Sequence, residues 1–308
     1  MKEKCLKTIL SHLPGRLRAP LSRAVPFFES EAQEIIFRAG RPSVIECGAT
    51  RYYLTENGVL TAFRQEQDLL ITTISDIREI FKSICDYSVY ARQNELNSGF
   101  ITIENGVRVG VCGTAVTGEN GIVNIKDITT LSFRVTAEYR GIAKPFLDLI
   151  DPLDGILLCG PPCSGKTTMI RDMARLLSEK HKVSIIDERN EIAATVNGMH
   201  SFDIGLCDIL AYMKKSDGVI HALRSLSPDI IVCDELGNAH DAELLLEAMR
   251  CGTAFIATVH ARSIDDLRCR RATAAILDSG AFRYVAILSD RSSAGRIETV
   301  YELRGACA

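Results

Sequence analysis

The eight residues Gly160-Pro161-Pro162-Cys163-Ser164-Gly165-Lys166-Thr167 constrain this chain more than any other stretch. They follow a run of four apolar residues at 156–159. Beyond them, Met169, Ile170, Met173, Leu176 and Leu177 fall on one face of a predicted helix. A buried strand, a loop of small residues and an amphipathic helix are thus expected in succession. Further short apolar runs occur at 183–186, 230–233 and 255–259, and helical patterns follow several of them. Runs that are apolar on both faces predict strands covered on both sides, and strand–helix alternation predicts a parallel sheet. The second half therefore reads as an α/β domain.

The loop itself fits G-x-x-x-x-G-K-[ST] in full. Gly160 and Gly165 permit a backbone in which successive N–H groups point inward at an anion. Lys166 adds a point charge for the β and γ phosphates, and the Thr167 hydroxyl suits Mg²⁺. The helix starts here, so its positive end faces the same anion. This predicts a P-loop, RecA-like nucleoside-triphosphatase domain that binds ATP with Mg²⁺ along Gly160, Pro161, Pro162, Cys163, Ser164, Gly165, Lys166, Thr167 and Thr168.

Such a loop needs acidic partners for the cation and for the attacking water. The stretch "PDIIVCDELG" offers them, because its strand ends in Asp234-Glu235 on the carboxyl edge of the sheet. Asp234 is expected at the Mg²⁺ shell and Glu235 at the water. Two more strand ends carry polar residues: Asp187-Glu188-Arg189, and Thr258 with His260 and Arg262 beyond. If these strands are parallel neighbours, all gather at one edge. Ser263 and Asp266 read as a capping box for the next helix. The cluster "RCRRATAAI" (268–276) reads as a helix face.

The first half has another pattern. "FITIENGVRVGVCG" alternates about Asn105-Gly106, which suits a two-residue hairpin turn with both central residues at positive φ. "GENG" (118–121) predicts another turn and "ITTLSFRV" (128–135) another strand. "EIIFRAGRPSVIE" predicts two short strands broken at residues 40–42. Ile74, Ile77, Ile80, Phe81 and Ile84 fall at helical spacing after a Thr73/Asp76 capping box. Residues 1–145 are thus expected to form a smaller α+β domain, and residues 146–308 the P-loop ATPase domain.

Composition narrows the partners. A net charge of −3, no Trp and 6% aromatic residues argue against nucleic acid, for want of electrostatic attraction and base stacking. The eleven cysteines are odd in number, with no C-x-x-C pair. They are expected to be mostly small apolar fillers in a reducing cytosol, with no zinc site. The N-terminal stretch lacks a signal-peptide core, and no stretch is long and apolar enough for a membrane helix.

Taken in order, the phosphate loop, Asp187-Glu188, "RSLSPDIIVCDELG" and "CGTAFIATVHARS" resemble the secretion-type traffic ATPases of type II and type IV secretion and type IV pili. "SGFITIENGVRVGVCGTAV", "IKDITTLSFRV" and "IIDERNEIAA" extend the resemblance over nearly the whole chain, to the stage III sporulation AA family of endospore-forming bacteria. That resemblance implies a cytoplasmic, mother-cell ATPase, a hexamer docked on membrane-embedded components of a channel complex to the forespore. It also implies catalytic roles for Lys166, Glu235, Glu188 and His260. Cys163 stands where many relatives have glycine, and Asp234 where secretion relatives often do, so Glu188 and Glu235 both stand as candidate bases. Arg108, Arg134 and Arg224 are candidate arginine fingers. A nucleotide-gated scaffold with little turnover, or a nucleic-acid-dependent ATPase, would use the same loop.

Overall fold

The structure is a computed structural model that describes residues 2–48, 50–65, 67–118, 121–135, 138–238, 240–290 and 293–303. It divides into two compact units, Met1–Ala137 and Glu138–Ala308. The division precedes the expected boundary near 145 for a local reason. The Asp172 carboxylate accepts hydrogen bonds from the amides of Gly141 (3.0 Å) and Ala143 (2.9 Å), and Ala143 and Phe146 are buried in the second unit's core.

The first unit opens with helices α1 (Lys2–Ser11) and α2 (Gly15–Phe28). Neither is evident from the sequence, because α2 carries Pro20 and Pro26 in its interior, where proline ordinarily breaks a helix. Leu17, Leu21, Ala24 and Phe28 nevertheless recur at helical spacing and are buried in the core. Seven strands form one antiparallel sheet: β1 (Ala32–Arg38), β2 (Val44–Cys47), β3 (Thr50–Leu54), β4 (Leu60–Thr61), β5 (Phe100–Ile103), β6 (Val107–Gly118) and β7 (Gly121–Arg134). Their order is β4-β3-β2-β1-β7-β6-β5. Ile35, Phe37, Val109, Val111, Leu131 and Phe133 alternate onto the buried face.

Asn105 and Gly106 take the expected positive φ (57° and 68°). The loop is one residue longer than expected, however: Ile103 pairs with Val107, so Glu104, Asn105 and Gly106 all lie in the connection. Residues 119 and 120 of the "GENG" turn lie outside the described residues, although Gly118 pairs with Gly121 on either side of them. Helix α3 (Ile74–Ile84) has the expected capping box, closed by the Thr73 hydroxyl and the Asp76 carboxylate.

The second unit holds a seven-stranded sheet of β8 (Ile156–Cys159), β9 (Val183–Asp187), β10 (Asp208–Ala211), β11 (Ile230–Leu236), β12 (Ala254–Val259), β13 (Tyr284–Leu288) and β14 (Ile297–Glu302). The order is β10-β9-β11-β12-β8-β13-β14, parallel throughout except for the last pair. The four apolar runs supply β8, β9, β11 and β12. Alternate residues enter separate cores: Leu157, Ile231, Phe255 and Ala257 on one side, Ile156, Leu158, Val232 and Ile256 on the other. That split explains why the runs show no polar alternation. β12 lies between β8 and β11, so three strand ends with polar residues come together at the carboxyl edge.

Candidate active site

The loop after β8 leads into helix α4 (Lys166–Leu177). Cys163 (φ 63°) and Gly165 (φ 90°) take left-handed conformations that turn the backbone into a concave cradle. Two glycines are required by close approach. A Cβ on Gly160 would lie 2.4 Å from Ser164 Oγ, and one on Gly165 2.7 Å from the Gly295 amide nitrogen. Met169 is the first helical amide to bond back, to the Gly165 carbonyl at 2.9 Å. The amides of Cys163 and of residues 165–168 have no acceptor among the described residues, and the buried Ser164 hydroxyl has no partner there either. A row of undonated N–H groups at a helix start fits a polyphosphate.

Lys166 is buried. Its ammonium donates to the carbonyls of Gly160 and Pro161, both at 2.9 Å, and approaches His260 Nδ1 at 3.2 Å. Burial depresses its pKa, and the carboxylates of Asp234 and Glu235 act in the opposite direction.

Asp234 and Glu235 sit at a break in the register between β11 and β12, and Glu235 is held at a positive φ of 53°. One main-chain arrangement fixes both. The Glu235 amide donates to Asp234 Oδ1 (3.0 Å) and to Thr258 Oγ1 (2.9 Å), and the Thr258 hydroxyl donates to the same Asp234 oxygen. The other Asp234 oxygen accepts from the Thr167 hydroxyl at 2.7 Å. A hydroxyl and a carboxylate oxygen so close fit Mg²⁺, which binds through one or two carboxylates together with substrate phosphates. No group of three His, Cys, Asp or Glu side chains gathers at metal-binding spacing among the described residues.

The Glu235 carboxylate meets His260 Nε2 at 3.1 Å and Arg189 Nη1 at 2.5 Å. Glu188, the other candidate base, lines the same cavity as Asp234 and Glu235, and its carboxylate faces Lys215 at 3.4 Å. Asp187 is engaged differently. Buried, it accepts hydrogen bonds from the amides of Glu191 (2.8 Å), Ile192 (3.0 Å) and Ala193 (2.8 Å), pinning the loop that carries Glu188 and Arg189. Burial pushes its carboxyl up, against the pull of those amides.

Lys166, Thr167, Asp234, Glu235, Glu188 and His260 are therefore brought together. Arg108 and Arg134 stand opposite each other across β6 and β7 in the first unit, with the Arg108 guanidinium 3.4 Å from the Phe100 ring centroid. Arg224 lies at the far end of helix α5 (Lys215–Ser225) from Lys215, about 13 Å away along the axis. Lys215 was missed by sequence reasoning. It donates to the Glu235 carbonyl at 2.9 Å. Its signal is a pair of lysines at the start of a helix, where the macrodipole disfavours positive charge.

Helix α6 is Asp241–Arg250, and α7 (Ile264–Cys269) is capped by the Ser263 hydroxyl, which accepts from the Asp266 amide at 3.1 Å. The capping box is incomplete, because the Asp266 carboxylate takes the amide of Arg262 rather than that of Ser263. The basic cluster is not one helix face either. Arg270 is extended (φ −103°), and a new helix, α8, spans Arg271–Asp278. Cys159 and Cys233 are fillers in the strands, their thiols pushed up to about 12 by burial. Cys112, Cys163, Cys251 and Cys269 depart from that expectation and are exposed.

Solved structures of similar fold include the Legionella pneumophila ATPase DotB, with a TM-score of 0.55 and 18% identity over 86% of this chain and 74% of that one. They also include the pilus retraction motor PilT with bound ADP, with a TM-score of 0.54 and 16% identity over 86% and 76%. The architecture is accordingly the mixed α/β P-loop NTPase fold of the secretion and pilus traffic ATPases. The chain belongs to the family described as "Sporulation stage III, protein AA", whose profile its residues 2–308 match. The stage III sporulation protein AA of Bacillus subtilis (strain 168) is 30% identical over 309 residues, spanning 97% of this chain and 96% of that protein.

Proposed function

We propose that the chain is an ATP-hydrolysing motor subunit. The observation that carries this reading is the hydrogen-bonded array running from Thr167 through Asp234 and Thr258 to the Glu235 amide, beside a cradle of undonated amides. Lys166 and the amides of the loop hold the β and γ phosphates. Thr167 and Asp234 hold Mg²⁺, which supplies positive charge against the transferring phosphoryl group. Glu235 orients and deprotonates the attacking water, and His260 fixes the Glu235 carboxylate through Nε2. Glu188 pairs with Lys215 and so supports the main chain of Glu235 rather than acting as the base.

The subunits assemble as a ring, a hexamer by analogy with the traffic ATPases. In the mother cell the ring docks on membrane-embedded components of a channel complex to the forespore. No helix among the described residues is long and apolar enough to cross a membrane, and the attachment proposed is through a protein partner.

Phosphate release measured beside nucleotide retention tests the reading. Glu235→Gln is expected to retain ATP and to lose turnover by about 10²-fold or more, the weight of a general base. Undiminished hydrolysis in that variant would remove Glu235 from the mechanism.

A further inference from the structure

Both carboxylate oxygens of Glu235 are engaged. The Lys166 ammonium can only donate, so His260 Nδ1 beside it is the accepting nitrogen. Nε2 then carries the ring hydrogen and donates to Glu235 Oε1 at 3.1 Å. The Arg189 guanidinium takes Oε2 at 2.5 Å. A general base must present a lone pair to the water it deprotonates, and each Glu235 oxygen already accepts one protein donor, the charged Arg189 guanidinium on Oε2 competing with water there.

We propose that Arg189 is a positioning residue that restrains Glu235, and that turnover requires it to leave. This rests on the reading of Glu235 as the base. Arg189 is the partner able to leave. Its side chain is 61% exposed and follows the end of β9, whereas His260 is tied to Lys166 as well. It also lines two adjoining cavities. One holds Asp234, and the other is an open cleft bordered by Lys214, Ser216, Asn238 and His240. The cleft gives the guanidinium room to swing away. The charged groups lining these cavities include Glu188, Glu191, Lys214, Lys215, Asp234, Glu235 and Asp241, and Lys215 is already paired with Glu188. The planar guanidinium matches a phosphate fork to fork, so the terminal phosphate of a bound nucleoside triphosphate is the anion that draws it off the carboxylate. Phosphate and carboxylate thereby compete for Arg189, and the share of the guanidinium left on Glu235 holds the base back in the bound state.

Steady-state hydrolysis by Arg189→Gln, Arg189→Ala, Arg189→Lys and Glu235→Gln tests this, with folding checked by circular dichroism. The Gln and Ala variants should raise kcat about two- to fivefold, the weight of a half-exposed ion pair, and should also raise KM for ATP, because the terminal phosphate loses its guanidinium. The Lys variant keeps the charge beside Glu235 but lacks the fork that the phosphate engages, so its kcat should not exceed that of the wild type. A kcat that falls or stays level in both the Gln and Ala variants overturns the restraint, because Arg189 would then serve the transition state or nothing at the site. Glu235→Gln separates the two claims. If it is inactive while Arg189→Gln is no faster than wild type, only the restraint fails. If it still turns over, the base assignment fails and takes the restraint with it.

Discussion

At the scale of residues, the geometry of the loop was legible because two of its positions demand glycine, where a Cβ would meet Ser164 and Gly295. The partners of Glu235 were less so. Its positive φ arises from the amide shared between Asp234 and Thr258, a tertiary arrangement with no local signal, and Thr258 entered the sequence reading only as a strand end. That arrangement makes Thr258 testable. Thr258→Val keeps the shape and removes the hydroxyl. It should cost about 1–1.5 kcal/mol of stability, the net worth of a buried hydrogen bond. It should also lower kcat more than it raises KM, as read from thermal melts and initial rates. Gly165→Ala places a Cβ at φ 90°, 2.7 Å from the Gly295 amide nitrogen. Strain of about 1–3 kcal/mol is expected, with nucleotide binding weakened in a fluorescent-nucleotide titration.

At the scale of elements, the four buried strands were visible as unbroken apolar runs, because the sheet is covered on both faces. The strands Asp208–Ala211 and Ile297–Glu302 lie at its edges, where that signal fades. Helix α2 was hidden by its prolines. Helix α3 was legible down to its cap, and the cap carries a pH prediction. Burial alone would raise the Asp76 carboxyl, but the Arg16 guanidinium and the Thr73 amide and hydroxyl outweigh it and hold the pKa below the usual range. A depressed pKa in the fold means stability that is present above the unfolded value of about 4 and lost as pH falls through the folded value. Asp76→Asn should therefore cost about 1–2 kcal/mol at pH 7. The gap from wild type should close as the pH drops below about 4, which thermal melts at stepped pH will show. A gap that persists at pH 2 would contradict the assignment.

At the scale of the whole molecule, the two-part organisation was readable from the change of pattern, from hairpins to strand–helix alternation. The point of division was not. Residues 138–145 are expected in the first domain from the sequence, yet the Asp172 carboxylate ties that passage into the second unit. A ring of subunits should show specific activity that rises with protein concentration in step with assembled mass, followed by light scattering beside phosphate release. Constant activity per chain across dissociation would argue for a self-sufficient monomer.

The central claim is that Mg·ATP is gripped by the cradle around Lys166. Isothermal titration calorimetry of the folded protein tests it most directly. The account predicts saturable binding of one nucleotide per chain, abolished by Lys166→Ala. Absence of binding in wild type, or undiminished binding in Lys166→Ala, would contradict it.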